Sequence, residues 1–226
     1  MVKVIRFLGA VTLLISSLFL VPVASAHRQN WDDAGNQIMI DNLQTSFAFY
    51  RGLNSPRQVD IYTINAQGGE HLHAGINIPA ITGLDHYAVT VALTGPGLPP
   101  ANRDDLPAGY TYITSALIFH SKVGQDFFEP FTQTHYWGRQ RIEFNLPRTG
   151  VYHLLIWSPD GQPGKYVLDT GEAEVYGPAD LLRFPVWWLQ VHIYFGQAPG
   201  LIGAALIVSL AIAALVKALS MQNYKK

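Results

Sequence analysis

Every acidic residue of this chain lies between Asp32 and Asp180, flanked by an apolar leader and an apolar C-terminal run, and this partition limits what the chain can fold into. Lys3 and Arg6 are the leader's only charges, and Lys217, Lys225 and Lys226 are the only charges of the C-terminal end. That leaves ten basic residues against sixteen acidic ones in the body, a balance of about −6. Lys and Arg beside membrane segments stay on the cytoplasmic side, so an acidic body with basic flanks is the pattern of an exported domain tethered by its tail.

Lys3 and Arg6 precede the apolar stretch Phe7 to Val23, and Ala24-Ser25-Ala26 follows as a small-residue cleavage site. Residues 1–26 therefore read as a secretory signal, and cleavage after Ala26 makes His27 the first residue of the mature chain. Ala198 to Val216 carries no charge. About twenty residues at roughly 1.5 Å each cross a hydrocarbon core of roughly 30 Å, so residues 198–219 are expected to form a single membrane helix with 220–226 as a short cytoplasmic tail. Ahead of it, residues 179–197 hold Trp187, Trp188, Tyr194 and Phe195, aromatics suited to a membrane interface or to an integral partner. Within the span Ala205, Ser209 and Ala213 recur every four residues, a spacing that permits close helix association.

The remaining body, residues 27–178, suffices for one domain with a real core. No cysteine occurs, which excludes disulfides, thiolate metal sites, a cysteine nucleophile and a lipidated cysteine. No basic stripe is present, so nucleic acid is not an expected partner. Short runs rich in Val, Ile, Thr and aromatics alternate with Gly, Pro, Asn and Asp, the punctuation of an all-β fold. Strands are expected over 46–51, 59–65, 70–78, 87–94, 112–119, 139–146, 151–158 and 165–169. In Arg141-Ile142-Glu143-Phe144-Asn145-Leu146 the apolar residues alternate, which gives that strand one wet side. Val151 to Trp157 is apolar on both faces apart from His153, as expected of a central strand covered on both sides. The Pro/Gly-rich stretch from Gly95 to Gly109 reads as an excursion at the sheet rim. Phe127, Phe128, Phe131, Tyr136 and Trp137 lie in a stretch without clean alternation, expected as a loop that either presents its rings or folds back to plug the sandwich.

The order of Val59-Asp60-Ile61-Tyr62-Thr63-Ile64, Gly68-Gly69-Glu70, Ala92-Leu93-Thr94-Gly95-Pro96, Arg141-Ile142-Glu143-Phe144, Gly150-Val151-Tyr152-His153-Leu154 and Gly164-Lys165-Tyr166-Val167-Leu168 resembles the bacterial pre-peptidase C-terminal domain family. The resemblance runs from about residue 45 to 170 and implies an antiparallel, jelly-roll-like β-sandwich of accessory or binding character, with no catalytic residues to carry over. On physical grounds Tyr62, Tyr152 and Tyr166 are expected to bury their rings with hydroxyls at the rim, and Asp60 to pin a turn.

The sharpest chemical candidate is His27, whose α-amine and imidazole would form a chelate once the leader is removed. His71 and His73 share a strand face and supply further imidazole, so the three define a candidate copper(II) site. His86, His120, His135, His153 and His192 are isolated in sequence. His71-x-His73 has no glutamate a few residues later to complete a cupin-type site. Asp32-Asp33 and Asp104-Asp105 lack the spaced donors of a calcium loop, and neither G-x-S-x-G nor H-E-x-x-H occurs. The chain thus reads as a non-enzymatic, single-pass envelope protein that serves as a binding or accessory subunit of a membrane assembly. The alternative is an extracytoplasmic copper protein using His27 with His71 or His73.

Overall fold

Alternation of apolar and polar residues places eleven strands in two sheets. The computed structural model describes residues 27–31, 35–122, 124–198, 200–203, 205 and 209. They form strands β1 (Arg28–Asn30), β2 (Gln37–Ile40), β3 (Phe47–Leu53), β4 (Val59–Ala66), β5 (His71–Pro79), β6 (Thr90–Thr94), β7 (Ala116–Phe119), β8 (Gln125–Glu129), β9 (Thr134–Asn145), β10 (Gly150–Trp157) and β11 (Gly164–Thr170), then helix α1 (Pro178–Tyr194). One sheet has the order β1-β3-β11-β5-β9-β8, the other β2-β4-β10-β6-β7. Each expected strand has a counterpart here. The pairing is antiparallel except at two edges, where β1 runs parallel to β3 and β2 parallel to β4.

The inward positions of both sheets make one core. Tyr62, Ile64, Leu72, Ile76, Leu93, Leu154, Ile156 and Leu168 are all fully buried in it. Burial of each such aliphatic side chain contributes roughly 1.5–3 kcal/mol. All three tyrosine rings are buried as expected, and the Tyr152 hydroxyl reaches the connections at Pro96 and Arg148, but the Tyr62 and Tyr166 hydroxyls lie 3.0 Å apart within the core. Asp60 pins no turn. It is buried in β4, where it accepts from the Tyr166 hydroxyl at 2.7 Å and from Gln58 Nε2 at 2.9 Å, and pairs with Arg51 Nε at 3.4 Å. An aspartate so placed is tolerated because its charge is both paired and hydrogen-bonded.

Two segments differ from their sequence-based assignment. The Gly95–Gly109 excursion is no rim loop. Its Leu106, with Ala101, Tyr110 and Ile113 just beyond or within it, packs over Val59, Ala92, Leu155 and Trp157 on the outer face of the five-stranded sheet. That cover explains why β10, paired with β4 and β6, is apolar on both faces toward its C-terminal end. The aromatic stretch after Gly124 is a hairpin of β8 and β9, closed by a turn whose Phe131 and Thr132 amides donate to the Glu129 carboxylate at 2.9 and 2.6 Å. Pro130 ends the ladder there, since it has no amide to donate. Phe127 and Phe128 are exposed on this hairpin, whereas Phe131 and Tyr136 are buried.

A first unit ends at Pro185 and a second begins at Val186. In the second, Trp187, Val191 and Phe195 are buried, and the Trp188 ring packs on His192 with centroids 3.7 Å apart. Residues 179–194, expected as an interfacial collar, are helical within α1. Residues 1–26 and Ala213 lie outside the described residues, as does most of 198–219. Gly200, Ala205 and Ser209 are helical, and the Ser209 hydroxyl donates to the Ala205 carbonyl at 2.8 Å. No helix among the described residues is long and apolar enough to cross a membrane.

Candidate functional site

Strand period puts His71, His73, Gly75 and Asn77 of β5 on the outer face of the six-stranded sheet, opposite the inward Leu72, Ala74, Ile76 and Ile78. Register then supplies their neighbours. On one side β9 sets Asn145 against His71, Glu143 against His73 and Arg141 against Gly75. On the other, β11 sets Asp169 against Gly75, and the chain leaving β11 carries Glu172, with the Gly171 amide donating to the His73 carbonyl.

His73 is the centre of this arrangement. Its Nδ1 lies 2.9 Å from Glu143 Oε1 and 3.6 Å from Glu172 Oε1, and its Nε2 lies 3.4 Å from Asp169 Oδ2. Asp169 is in turn held by the amide of Asn77. One ligating atom each from His73, Glu143 and Glu172 falls within 4.8 Å of the other two. Arg141 spans the two glutamates, with Nε 2.7 Å from Glu143 Oε1 and Nη2 3.9 Å from Glu172 Oε1. His71 turns to Glu143 Oε2 at 3.0 Å and to Asn145 Oδ1 at 2.8 Å, so it joins the cluster through Glu143.

The electrostatics follow from these contacts. Hydrogen bonding to Asp169 raises the His73 imidazole above its ordinary value, burial opposes this, and Glu143 adds to it. His71 is raised by Asn145 and then by Glu143. Desolvation alone would lift the Glu143 carboxyl, but hydrogen bonds from Arg141, His71 and His73 outweigh it and hold the group down to about 2. The Arg141 guanidinium and the two histidines thus converge on the Glu143 carboxylate.

The cluster opens into a cleft of about 660 Å³ whose wall includes His27, His73, Asp169, Glu172, Arg139 and Arg141. Gly75 and Gly138 also line it, so side chains are lacking where the sheet would otherwise fill it. His27, at the start of the described chain, contacts Ser46 Oγ through its Nδ1, and the following amide of Arg28 donates to the Ser46 carbonyl. Of the three histidines marked in the sequence, His27 and His73 therefore share one cleft, and His71 sits beside it. Glu143, Glu172, Asp169 and Arg141 were not marked. The wet face of the Arg141 to Leu146 strand was the available signal for two of them, but which strand it would pair with is a nonlocal matter.

Other sequence candidates lie apart. Asp104 and Asp105 sit in a single 3-10 turn capped by Asn102, and with His120 they line a separate cavity of about 510 Å³. His135 pairs with Asp126 at 3.3 Å on the hairpin, and His153 lies 3.2 Å from the Thr63 hydroxyl on the other sheet. Along α1, the exposed Leu182, Val186, Leu189 and Ile193 recur at helical spacing, so one face of the helix is an apolar stripe.

Fold and site together define a two-sheet β protein with a histidine–carboxylate cleft on one outer face. No known protein family and no curated protein matches the chain. Among solved structures it is similar to a periplasmic inhibitor of g-type lysozyme, PliG, from Aeromonas hydrophila (12% identity, 65% of this chain, 98% of that one, TM-score 0.38). It is also similar to CorA, a surface-associated copper-binding protein important in copper acquisition in Methylomicrobium album BG8 (10% identity, 64% of this chain, 100% of that one, TM-score 0.32). At scores this low, site and function rest on this chain's own residues.

Proposed function

We propose that this chain is a non-enzymatic, extracytoplasmic binding protein whose jelly-roll-like sandwich holds a divalent metal ion, copper(II) foremost, at His73, Glu143 and Glu172. The observation that carries this is the two-sided setting of His73. Nδ1 converges with two carboxylates while Nε2 faces Asp169, itself fixed by Asn77. Metal-bound imidazoles characteristically donate their other N–H to a carboxylate, which fixes the tautomer and strengthens the ligand. A nitrogen and two carboxylate oxygens suit a borderline divalent ion and leave positions open for more donors. His27 on the same cleft supplies them if the leader is cleaved after Ala26, because the new α-amine and the imidazole chelate together.

The protein works at the envelope surface, tethered by residues 198–219, and serves as a binding or accessory subunit beside an integral partner. The exposed stripe Leu182, Val186, Leu189 and Ile193 supports this, since such a face is what a helix lying at a lipid or subunit boundary presents. The resemblance to pre-peptidase C-terminal sandwiches belongs to the same proposal.

The test is copper(II) titration of the purified mature chain, followed by calorimetry and EPR, with N-terminal sequencing of the same sample. One tight equivalent is expected, weakened at least tenfold by His73→Ala or Glu143→Gln and less by His71→Ala. A chain that takes up no stoichiometric metal, or a His73→Ala variant that binds as well as the native protein, refutes the site. A mature start other than His27 removes the chelate from it. For the assembly, gentle detergent extraction and native mass analysis should return a co-purifying integral subunit, and a lone monomer counts against it.

A further inference from the structure

The cleft is far larger than an ion needs. A water molecule occupies about 30 Å³ of liquid, whereas this cleft measures about 660 Å³. Its lining also carries both signs of charge: Asp169 and Glu172, with His73, on the acidic side of the balance, and Lys122, Arg139 and Arg141 on the basic side. Arg139 is the extra residue of a bulge in β9, where Ile76 pairs with Gln140 and Asn77 with Gly138, and it lines the same cleft as Arg141. The Arg139 guanidinium donates through Nη2 to the Asp85 carbonyl and lies 5.7 Å from the Trp137 ring, but its buried Nε has no hydrogen-bond partner.

Arg141 belongs to both sets. Its guanidinium now compensates Glu143 and Glu172, the same carboxylates that the metal site uses. A divalent ion bound there neutralises both glutamates and takes over the role of Arg141, which leaves Arg141 without those partners in a cleft that Arg139 and Lys122 also line. Arg139 is half-buried with an unpartnered Nε, which is costly, whereas Lys122 and Arg141 are exposed and add positive charge at the cleft mouth. An anion settled among them, with one oxygen on the metal, satisfies the guanidinium and fills an open coordination position at once. Arg is suited to this, since its planar fork matches a carboxylate bidentately.

We propose that the cleft takes its metal together with a small carboxylate anion, the metal held by His73, Glu143 and Glu172 and the anion by Arg139, Arg141 and Lys122. This rests on the metal site proposed above. The coupling is reciprocal, so the metal tightens the anion by the factor by which the anion tightens the metal.

The experiment measures copper(II) affinity of the mature chain in sodium acetate and in sodium chloride at matched ionic strength, acetate being too weak a chelator to strip the protein. The dissociation constant is expected to fall about tenfold in acetate, within the usual range of such couplings. In the Arg139→Gln, Arg141→Gln double variant the acetate effect should vanish, while binding in chloride becomes tighter because no guanidinium competes for Glu143 and Glu172. Equal affinity of the native chain in the two salts overturns the anion proposal and leaves the metal site standing. Absence of copper uptake in both salts overturns the metal site as well. The comparison on the native chain stands alone if the double variant does not fold.

Discussion

Gly75 of β5 and Asp169 of β11 face each other across the ladder so closely that a Cβ on Gly75 would lie 2.5 Å from Asp169 Oδ1. The missing side chain is what lets Asp169 reach under His73. Gly75→Ala should therefore drive the carboxylate out of place, weaken copper(II) binding at least tenfold and cost about 1–3 kcal/mol through overpacking. Gly138→Ala is the control. A Cβ there meets Asn77 Oδ1 at an ordinary 3.5 Å, so stability and binding should change little. Titration calorimetry and urea unfolding on both variants check this, and equal behaviour of the two would contradict it.

Asp60 and Arg51 form the charged centre of a buried network with Tyr166 and Gln58. Removing the carboxylate breaks the ion pair with Arg51 and takes away the acceptor of the Tyr166 hydroxyl, so Asp60→Ala should destabilise the fold by about 1–3 kcal/mol. Asp60→Asn keeps the shape and part of the hydrogen bonding but removes the ion pair with Arg51, so it should fall between native and Ala. Thermal melts of the three proteins give the order, and a near-native Ala variant would show that the pair contributes nothing.

The strand pattern was largely legible in the sequence because alternation is local, and the inner face of each expected strand is written in its own residues. The edge strands β1 and β2 were not, since strands of a few residues such as Arg28–Asn30 carry too little pattern to detect. The β8–β9 hairpin was missed for another reason. Phe127 and Phe128 point to opposite faces of β8 and both are exposed, so the apolar and polar faces are not distinguished by composition. At the site, His73 was legible as a strand-face histidine, and Glu143 as part of a wet face. Their meeting depends on β5 pairing with β9 over a separation of seventy residues, which no local pattern encodes. The same holds for Asp60, whose buried partners come from β3 and β11.

Tyr152 ties two connections to the core. Its hydroxyl lies 2.8 Å from the Pro96 carbonyl and 2.7 Å from the Arg148 carbonyl, and it accepts from the Arg148 amide at 3.2 Å. The ring itself packs where Gly95 has no side chain, a Cβ there falling 2.7 Å from Tyr152 Cε1. Tyr152→Phe should cost about 0.5–1.5 kcal/mol, the net worth of a hydrogen bond to part-buried backbone groups. Gly95→Ala should cost more, because ring and backbone must both move. Hydrogen exchange provides the more specific readout: faster exchange is expected at the Arg148 amide in the Phe variant, and unchanged protection there would mean that the hydroxyl does not hold the turn.

His153 titrates in the sense opposite to His73. It sits half-buried on the outer face of the five-stranded sheet beside the Thr63 hydroxyl, and burial pushes its imidazole below the ordinary value. Between the unfolded value near 6.5 and the lower folded value, the unfolded chain binds more protons than the folded one, so stability rises with pH across that window. The contribution of His153 is therefore complete above the unfolded value, is lost as pH falls toward the folded value, and declines no further below it. His73, raised by Asp169, contributes most strongly under acid conditions and loses that contribution as pH rises through its folded value. The two partly cancel in the native protein, and only a difference between variants separates them. Urea unfolding at about pH 7.5 and about pH 5 should show that His153→Gln loses less stability on acidification than the native chain. His73→Gln, measured without metal, should lose more. Parallel pH profiles for native protein and His153→Gln would mean that this histidine is solvated in the folded state.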